Sequence, residues 1–106
     1  MLEQGEGVVI NIGSVSGKTG EANGAANSAS KFGLIGFTQS LYEEVREHGI
    51  KVSVILPGFV DTPLISPNRQ LDRSKMIQAD DIAQAVLFVL TSPPTCCPVE
   101  ITVRPQ

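Results

Sequence analysis

Alternation is what most limits the folds open to this chain: three short, β-branched apolar runs are separated by segments of a different period. Gly7-Val-Val-Ile-Asn-Ile12 is almost continuously apolar, which suits a strand of a parallel sheet covered on both faces. Residues 50–56, Ile-Lys-Val-Ser-Val-Ile-Leu, form a second such run, stopped by Pro57-Gly58, and residues 99–103 a last short one. Between the first two, a helical pattern extends from about Ala25 to His48. Gly49 stands where a C-cap glycine belongs, with Arg46 and His48 in the last turn. Asp80-Asp81 can cap and start a second helix, whose apolar positions run to Ser92 before Pro93-Pro94 ends it. The order β-α-β-loop-α-β predicts an α/β fold with a parallel sheet of three strands and two main helices.

The first helix carries more apolar residues than one buried face needs. Leu34, Phe37, Leu41 and Val45 make one stripe by three- and four-residue spacing, and Phe32, Ile35 and Tyr42 fall roughly opposite. A surface helix of a monomer needs one stripe. Two stripes predict a second partner besides the sheet, and so a homodimer or higher homo-oligomer through helix 25–48. Residues 59–79, with Pro63 and Pro67 and no period, read as a long irregular loop, a lid or a binding loop. That segment is expected to be the most mobile part of the chain.

Size and charge exclude several classes of function. The 106 residues allow one domain with a modest core. A net charge of -3 and 18% charged residues give no reason to expect nucleic-acid or membrane-surface binding. No apolar run is long enough to span a membrane, and the N-terminus MLEQGEG has no signal-peptide pattern. The only cysteines, Cys96 and Cys97, are adjacent. Neighbours rarely form a structural disulfide, and two thiols alone make no zinc site, so a reduced cytoplasmic setting is the plain expectation and no metal is expected.

Chemistry concentrates between Gly13 and Gly36, GSVSGKTGEANGAANSASKFGLIG. Ser14 directly follows the first strand, at the carboxyl end where open α/β sheets bind ligands. Asn27 and Lys31 are four apart and can share one helix face. This stretch resembles the short-chain dehydrogenase/reductase family, whose signature is a strand-end serine followed about a dozen residues later by Tyr-x-x-x-Lys, often Tyr-Ser-Ala-Ser-Lys. Ser14 matches the serine and Ser28-Ala29-Ser30-Lys31 the last four motif positions, while Asn27 stands where the tyrosine should be. The segment Pro57-Gly58-Phe59-Val60-Asp61-Thr62-Pro63 resembles the family's Pro-Gly segment beside the nicotinamide. Residues 100–106 are similar to its last strand and tail.

The resemblance implies an NAD(P)-dependent oxidoreductase that transfers hydride between nicotinamide and a carbonyl or alcohol carbon. It implies catalytic positions at Ser14, Asn27 and Lys31, and cofactor contacts at Lys31, Pro57, Gly58, Val60 and Thr62. In the family the serine hydroxyl stabilises the developing oxyanion, the lysine holds the ribose hydroxyls, and the tyrosine phenol moves the proton, its pKa lowered by the nearby ammonium. A carboxamide donates and accepts hydrogen bonds but is neither acid nor base in the usable range. Asn27 can also serve as a helix N-cap or first-turn residue, Ser14 as a backbone-satisfying strand-end serine, and Lys31 as a solvated lysine.

The resemblance spans the chain as a single partial Rossmann-like domain, residues 1–106, corresponding to the family's C-terminal half. The Gly-x-x-x-Gly-x-Gly turn that cradles pyrophosphate is absent from it. The expectation is therefore a fragment of a short-chain oxidoreductase, inactive as this chain and binding neither NAD nor NADP tightly. The other reading is a non-enzymatic remnant acting as a dimerising or binding module.

Overall fold

The computed structural model describes residues 1–15, 24–58, 60 and 75–106. Three strands, β1 (Gly7–Ile12), β2 (Ile50–Pro57) and β3 (Glu100–Val103), form one sheet in the order β1-β2-β3, every pair parallel. Helix α1 (Ala25–Val45) joins β1 to β2, and α2 (Ala79–Leu90) lies between β2 and β3. The three apolar runs are thus the strands, and the chain has the α/β architecture their alternation predicts.

β2 is the centre of the core. Val52, Val54, Ile55 and Leu56 are fully buried on both faces of the strand, each contributing about 1.5–3 kcal/mol relative to exposure. In parallel register, Asn11 pairs with Val54 and Ile12 with Ile55. Paired side chains project to the same face, so Val9, Asn11, Val52, Val54 and Leu56 share one side. α1 covers that side. Lys51 belongs to the other face, and its Nζ donates to the Ser92 carbonyl (2.7 Å), the Ser92 Oγ (2.6 Å) and the Pro93 carbonyl (2.7 Å), just past α2. α2 therefore ends on the face opposite α1. Because β1, β2 and β3 advance in one direction, helices on opposite faces give the two crossovers opposite hands. One of them departs from the right-handed rule.

The two apolar stripes predicted for α1 are redistributed. Its shielded positions are Ser28, Lys31, Leu34, Ile35, Thr38, Leu41, Tyr42 and Val45, a single stripe. Phe37 is 57% exposed and Phe32 46% exposed. On a helix turning about 100° per residue, Ile35 and Tyr42 lie within about 60° of Thr38, whereas Phe37 and Phe32 lie about 100° and 120° away. Thr38, polar yet 0% exposed, marks the true centre of the buried face. The outer side keeps Phe32 and Phe37 flanking Gly33 and Gly36, where an added Cβ would meet nothing within 4 Å.

A single 3₁₀ turn over Arg46–His48 follows α1 and closes on Gly49, whose φ of 74° is left-handed. A Cβ there would collide with the Gly5 carbonyl oxygen, so both the turn and the close approach require glycine. The start of α2 differs from expectation by two residues. Gln78, not Asp80 or Asp81, is the N-cap: its backbone N–H donates to Asp81 Oδ2 at 2.8 Å, and its side chain accepts from the Asp81 backbone N–H, a reciprocal capping box. Asp80 instead accepts from Gln84 Nε2 at 3.0 Å, one turn along the same helix.

Most of the long segment 59–79 lies outside the described residues, and its expected mobility with it. Its last part is no irregular surface loop. Met76 and Ile77 are buried, and Ile77 forms an isolated parallel bridge with Val60, outside the three-stranded sheet, before α2 begins.

Candidate active site

One side-chain hydrogen bond and one packing contact set the position of α1 over β1. Asn11 Nδ2 donates to Thr38 Oγ1 at 3.0 Å, and Thr38 Oγ1 donates in turn to the Leu34 carbonyl at 2.8 Å. Two residues further along the strand, a Cβ on Gly13 would lie 3.4 Å from Leu34 Cδ2, 2.8 Å from Leu56 Cδ2 and 3.5 Å from Val54 Cγ2. The tight contact is the one with Leu56, which only a residue without a Cβ leaves room for, while Leu34 seats beside Gly13 at ordinary packing distance. Thr38 sits over Asn11 and Leu34 over Gly13. Two strand residues advance about 6.6 Å and four helical residues about 6 Å, so strand and helix keep step. Lys31, shielded on the same side and three residues before Leu34, lies about 4.5 Å further along, near the level of Ser14.

Ser14 leaves the carboxyl end of β1 half-buried, held there by the Gly13 amide, which donates to the Ile55 carbonyl at 2.8 Å. Lys31 is half-buried on the sheet side of α1. Asn27 is the third residue of α1 and exposed; it is a first-turn residue, since the N-cap position belongs to Gly24. Its carbonyl accepts from Ser30 Oγ at 2.9 Å, a local bond that tightens the first turn. Ser14, Asn27 and Lys31 therefore share one end of the sheet, the end at which α1 begins.

Pro57 is buried as the last residue of β2, beside β1 at that same end. The Gly58 amide donates to the Val103 carbonyl at 2.8 Å, and a Cβ on Gly58 would press on Pro105 Cδ at 3.1 Å. Val60 is half-buried and bridged to Ile77. Thr62 lies outside the described residues. Among the described residues, no group of three or more His, Cys, Asp or Glu side chains could hold a metal ion, and no helix is long and apolar enough to cross a membrane.

Sequence reasoning missed Asn11 and Thr38. Their signals were present: a lone amide within an otherwise apolar strand, and a threonine lying between the two hydrophobic stripes. Neither marks a partner 27 residues away until the strand and helix are juxtaposed.

A family profile described as short chain dehydrogenase matches residues 1–72. Carbonyl reductase family member 4 of Xenopus laevis is 40% identical over 99 residues, covering 88% of this chain and 42% of that protein. An uncharacterized oxidoreductase of Staphylococcus aureus (strain USA300) is 43% identical over 105 residues, covering 99% of this chain and 45% of that protein. The crystal structure of a betaketoacyl-[ACP] reductase (FabG) from Bacteroides thetaiotaomicron superposes with a TM-score of 0.85 at 28% identity, over 100% of this chain and 43% of that one. The chain thus spans less than half the length of the curated relatives it matches.

Proposed function

Since this chain belongs to the short-chain dehydrogenase/reductase family, whose full-length members are NAD(P)-dependent oxidoreductases, we propose that it is the catalytic and substrate-binding portion of such an enzyme. The reaction is hydride transfer between nicotinamide and a small carbonyl or alcohol substrate. One observation carries this reading: the Asn11–Thr38 and Gly13–Leu34 contacts bring the Lys31 turn of α1 level with Ser14 at the carboxyl end of the sheet.

The residues at that end suit the nicotinamide-ribose part of the cofactor. Ser14 offers a hydroxyl, and Lys31 an ammonium with three donors and no acceptor, fitted to ribose oxygens. When bound, the nicotinamide supplies or receives the hydride. Ser14 hydrogen-bonds the substrate oxygen as negative charge develops there. Lys31 holds the ribose, and Pro57, Gly58, Val60 and Thr62 border the nicotinamide. Asn27 can orient a carbonyl through its amide but cannot deliver a proton, and losing a general acid costs about 10²–10⁴ in rate. The sequence has no Gly-x-x-x-Gly-x-Gly turn to receive the pyrophosphate. On this reading residues 1–106 form a partial Rossmann-like domain, inactive alone and without tight affinity for NAD or NADP. A chain whose only two cysteines are adjacent and unsuited to a structural disulfide fits a cytoplasmic setting on this reading.

A second reading, a non-enzymatic module that assembles with copies of itself, is favoured by the outer face of α1. Phe32 and Phe37 remain exposed there beside two glycines that permit close helix approach. Activity assays with both nicotinamide cofactors and a panel of carbonyl compounds separate the readings. The chain alone is expected to show negligible turnover. Asn27→Tyr, combined with a pyrophosphate-binding portion from a family member, is expected to restore rate with little change in cofactor affinity. Ordinary turnover by the unaltered chain would overturn the inactivity, and no gain from Asn27→Tyr would favour the module.

A further inference from the structure

The loop before β3 holds a feature unrelated to the Ser14 end of the sheet. Cys96 and Cys97 are the only cysteines of the chain and both are free, Cys96 exposed and Cys97 half-buried. Proline flanks the segment on both sides, and the Cys96 amide donates to the Pro93 carbonyl at 3.1 Å, so the pair sits on a defined turn. Cys97 Sγ lies 3.5 Å from the Val52 carbonyl, on the edge of β2 that β3 is too short to reach. Both cysteines line an open cavity of about 720 Å³ at the amino ends of the strands, together with Tyr42, Arg46 and Lys51.

Two soft donors adjacent in the chain and lining one cavity, with no third ligand, restrict what can bind. Zinc needs four ligands, and no group of three His, Cys, Asp or Glu exists among the described residues. A disulfide is disfavoured: consecutive Cα atoms across a trans peptide are about 3.8 Å apart, below the usual range of about 4.4–6.8 Å. An organoarsenic(III) centre has the complementary deficit. It brings one carbon ligand of its own and needs two soft donors to complete its coordination, which is the thiolate preference of a thiophilic ion.

We propose that Cys96 and Cys97 form a vicinal dithiol site that captures trivalent organoarsenicals by chelation in this cavity. The dihydroxyarsine reacts with both thiols: two As–O bonds break, two As–S bonds form, and each thiol proton departs with a hydroxyl as water. Arsenic stays at +3, so no oxidant or reductant is required. Both sulfurs act together, and a single thiol loses the chelate advantage of about 10²–10⁴.

The test treats the reduced, purified chain with phenylarsine oxide and follows its intact mass through a challenge with excess 2-mercaptoethanol, then with 2,3-dimercaptopropanol. The expected product carries one phenylarsenic group in place of two hydrogens, resists the monothiol and is stripped by the dithiol. Cys96→Ala and Cys97→Ala should each bind about 10²–10⁴-fold more weakly and lose the adduct to the monothiol. Circular dichroism checks that both variants keep the parent fold, and Cys96→Ala, at an exposed position, is the variant that decides. Removal of the parent adduct by the monothiol, or equal retention by a folded single-cysteine variant, would overturn the proposal.

Discussion

Replacing Thr38 with valine isolates the Asn11–Thr38 hydrogen bond between β1 and α1. The substitution keeps the side chain's shape and removes a hydroxyl that is 0% exposed. That hydroxyl does two things: it accepts from Asn11 Nδ2 at 3.0 Å and donates to the Leu34 carbonyl at 2.8 Å. The two losses are unequal. The Leu34 carbonyl keeps its helical partner, the Thr38 amide four residues on. Asn11 is left with a shielded NH₂ donor and no acceptor, and an orphaned donor costs more than a bond removed from both sides. Asn11 is only half-buried, so the expected loss is about 1–2 kcal/mol, equivalent to a fall of several degrees in melting temperature for a domain of this size. Asn11→Val should cost less, about 0.5 kcal/mol, because the Thr38 hydroxyl still has Leu34 to donate to. The double variant should be less destabilised than the sum of the two singles, by about 1 kcal/mol. Urea titrations of the four proteins give these numbers directly, with an unchanged slope as the check on two-state behaviour. A cost under about 0.3 kcal/mol for Thr38→Val, or a larger one for Asn11→Val, would refute the argument.

Further substitutions probe the other contacts. Gly13→Ala places a Cβ 2.8 Å from the fully buried Leu56, and should destabilise by about 1–3 kcal/mol in the same titration, with partial relief from Leu56→Val. Lys51→Met removes three hydrogen bonds to Ser92 and Pro93 and should lower stability by about 1–2 kcal/mol while leaving the secondary structure seen by circular dichroism intact. Gly49→Ala meets both a φ of 74° and the Gly5 carbonyl, and should cost more than Gly33→Ala, which is sterically free and should be neutral or stabilising. Sedimentation of the chain is expected to show a homodimer or larger assembly that Phe37→Glu disperses; a monomer at tens of micromolar would remove the outer face of α1 as an interface.

The strands were legible because each is a short β-branched run with a strong stop, and β2, buried on both faces, reads as continuously apolar. The end of α1 was legible for a similar reason: Gly49 occupies a backbone region that few other residues tolerate. The phase of α1 was not. Its apolar residues are spread around the helix, and the centre of its buried face is a threonine, so hydrophobicity alone grouped Phe37 with Leu34 and set Tyr42 apart. Gln78 went unseen because glutamine is an uncommon cap, and two aspartates next to it offered a better-known answer. The match to the family rests on Ser14, Lys31 and the Pro57-Gly58 segment, all visible as letters. What puts the Lys31 turn near the level of Ser14 is the Asn11–Thr38 hydrogen bond and the packing of Leu34 beside Gly13, contacts that no single stretch of sequence displays.

The central place of β2 has a consequence for how the chain is made. β1 and α1 both lie against it, yet Ile50 follows Gly7 by 43 residues (50 minus 7). At synthesis rates of about 5–20 residues per second, β1 waits roughly 2–9 s for the strand that will pair with it. During that interval the edge of Val8-Val9-Ile10 that β2 will occupy is unpaired, and the apolar face of α1 lacks the β2 side chains that will cover it. Misassembly in translation should therefore concentrate in the first half of the chain, and a chaperone that recognises short β-branched stretches has its main substrate there.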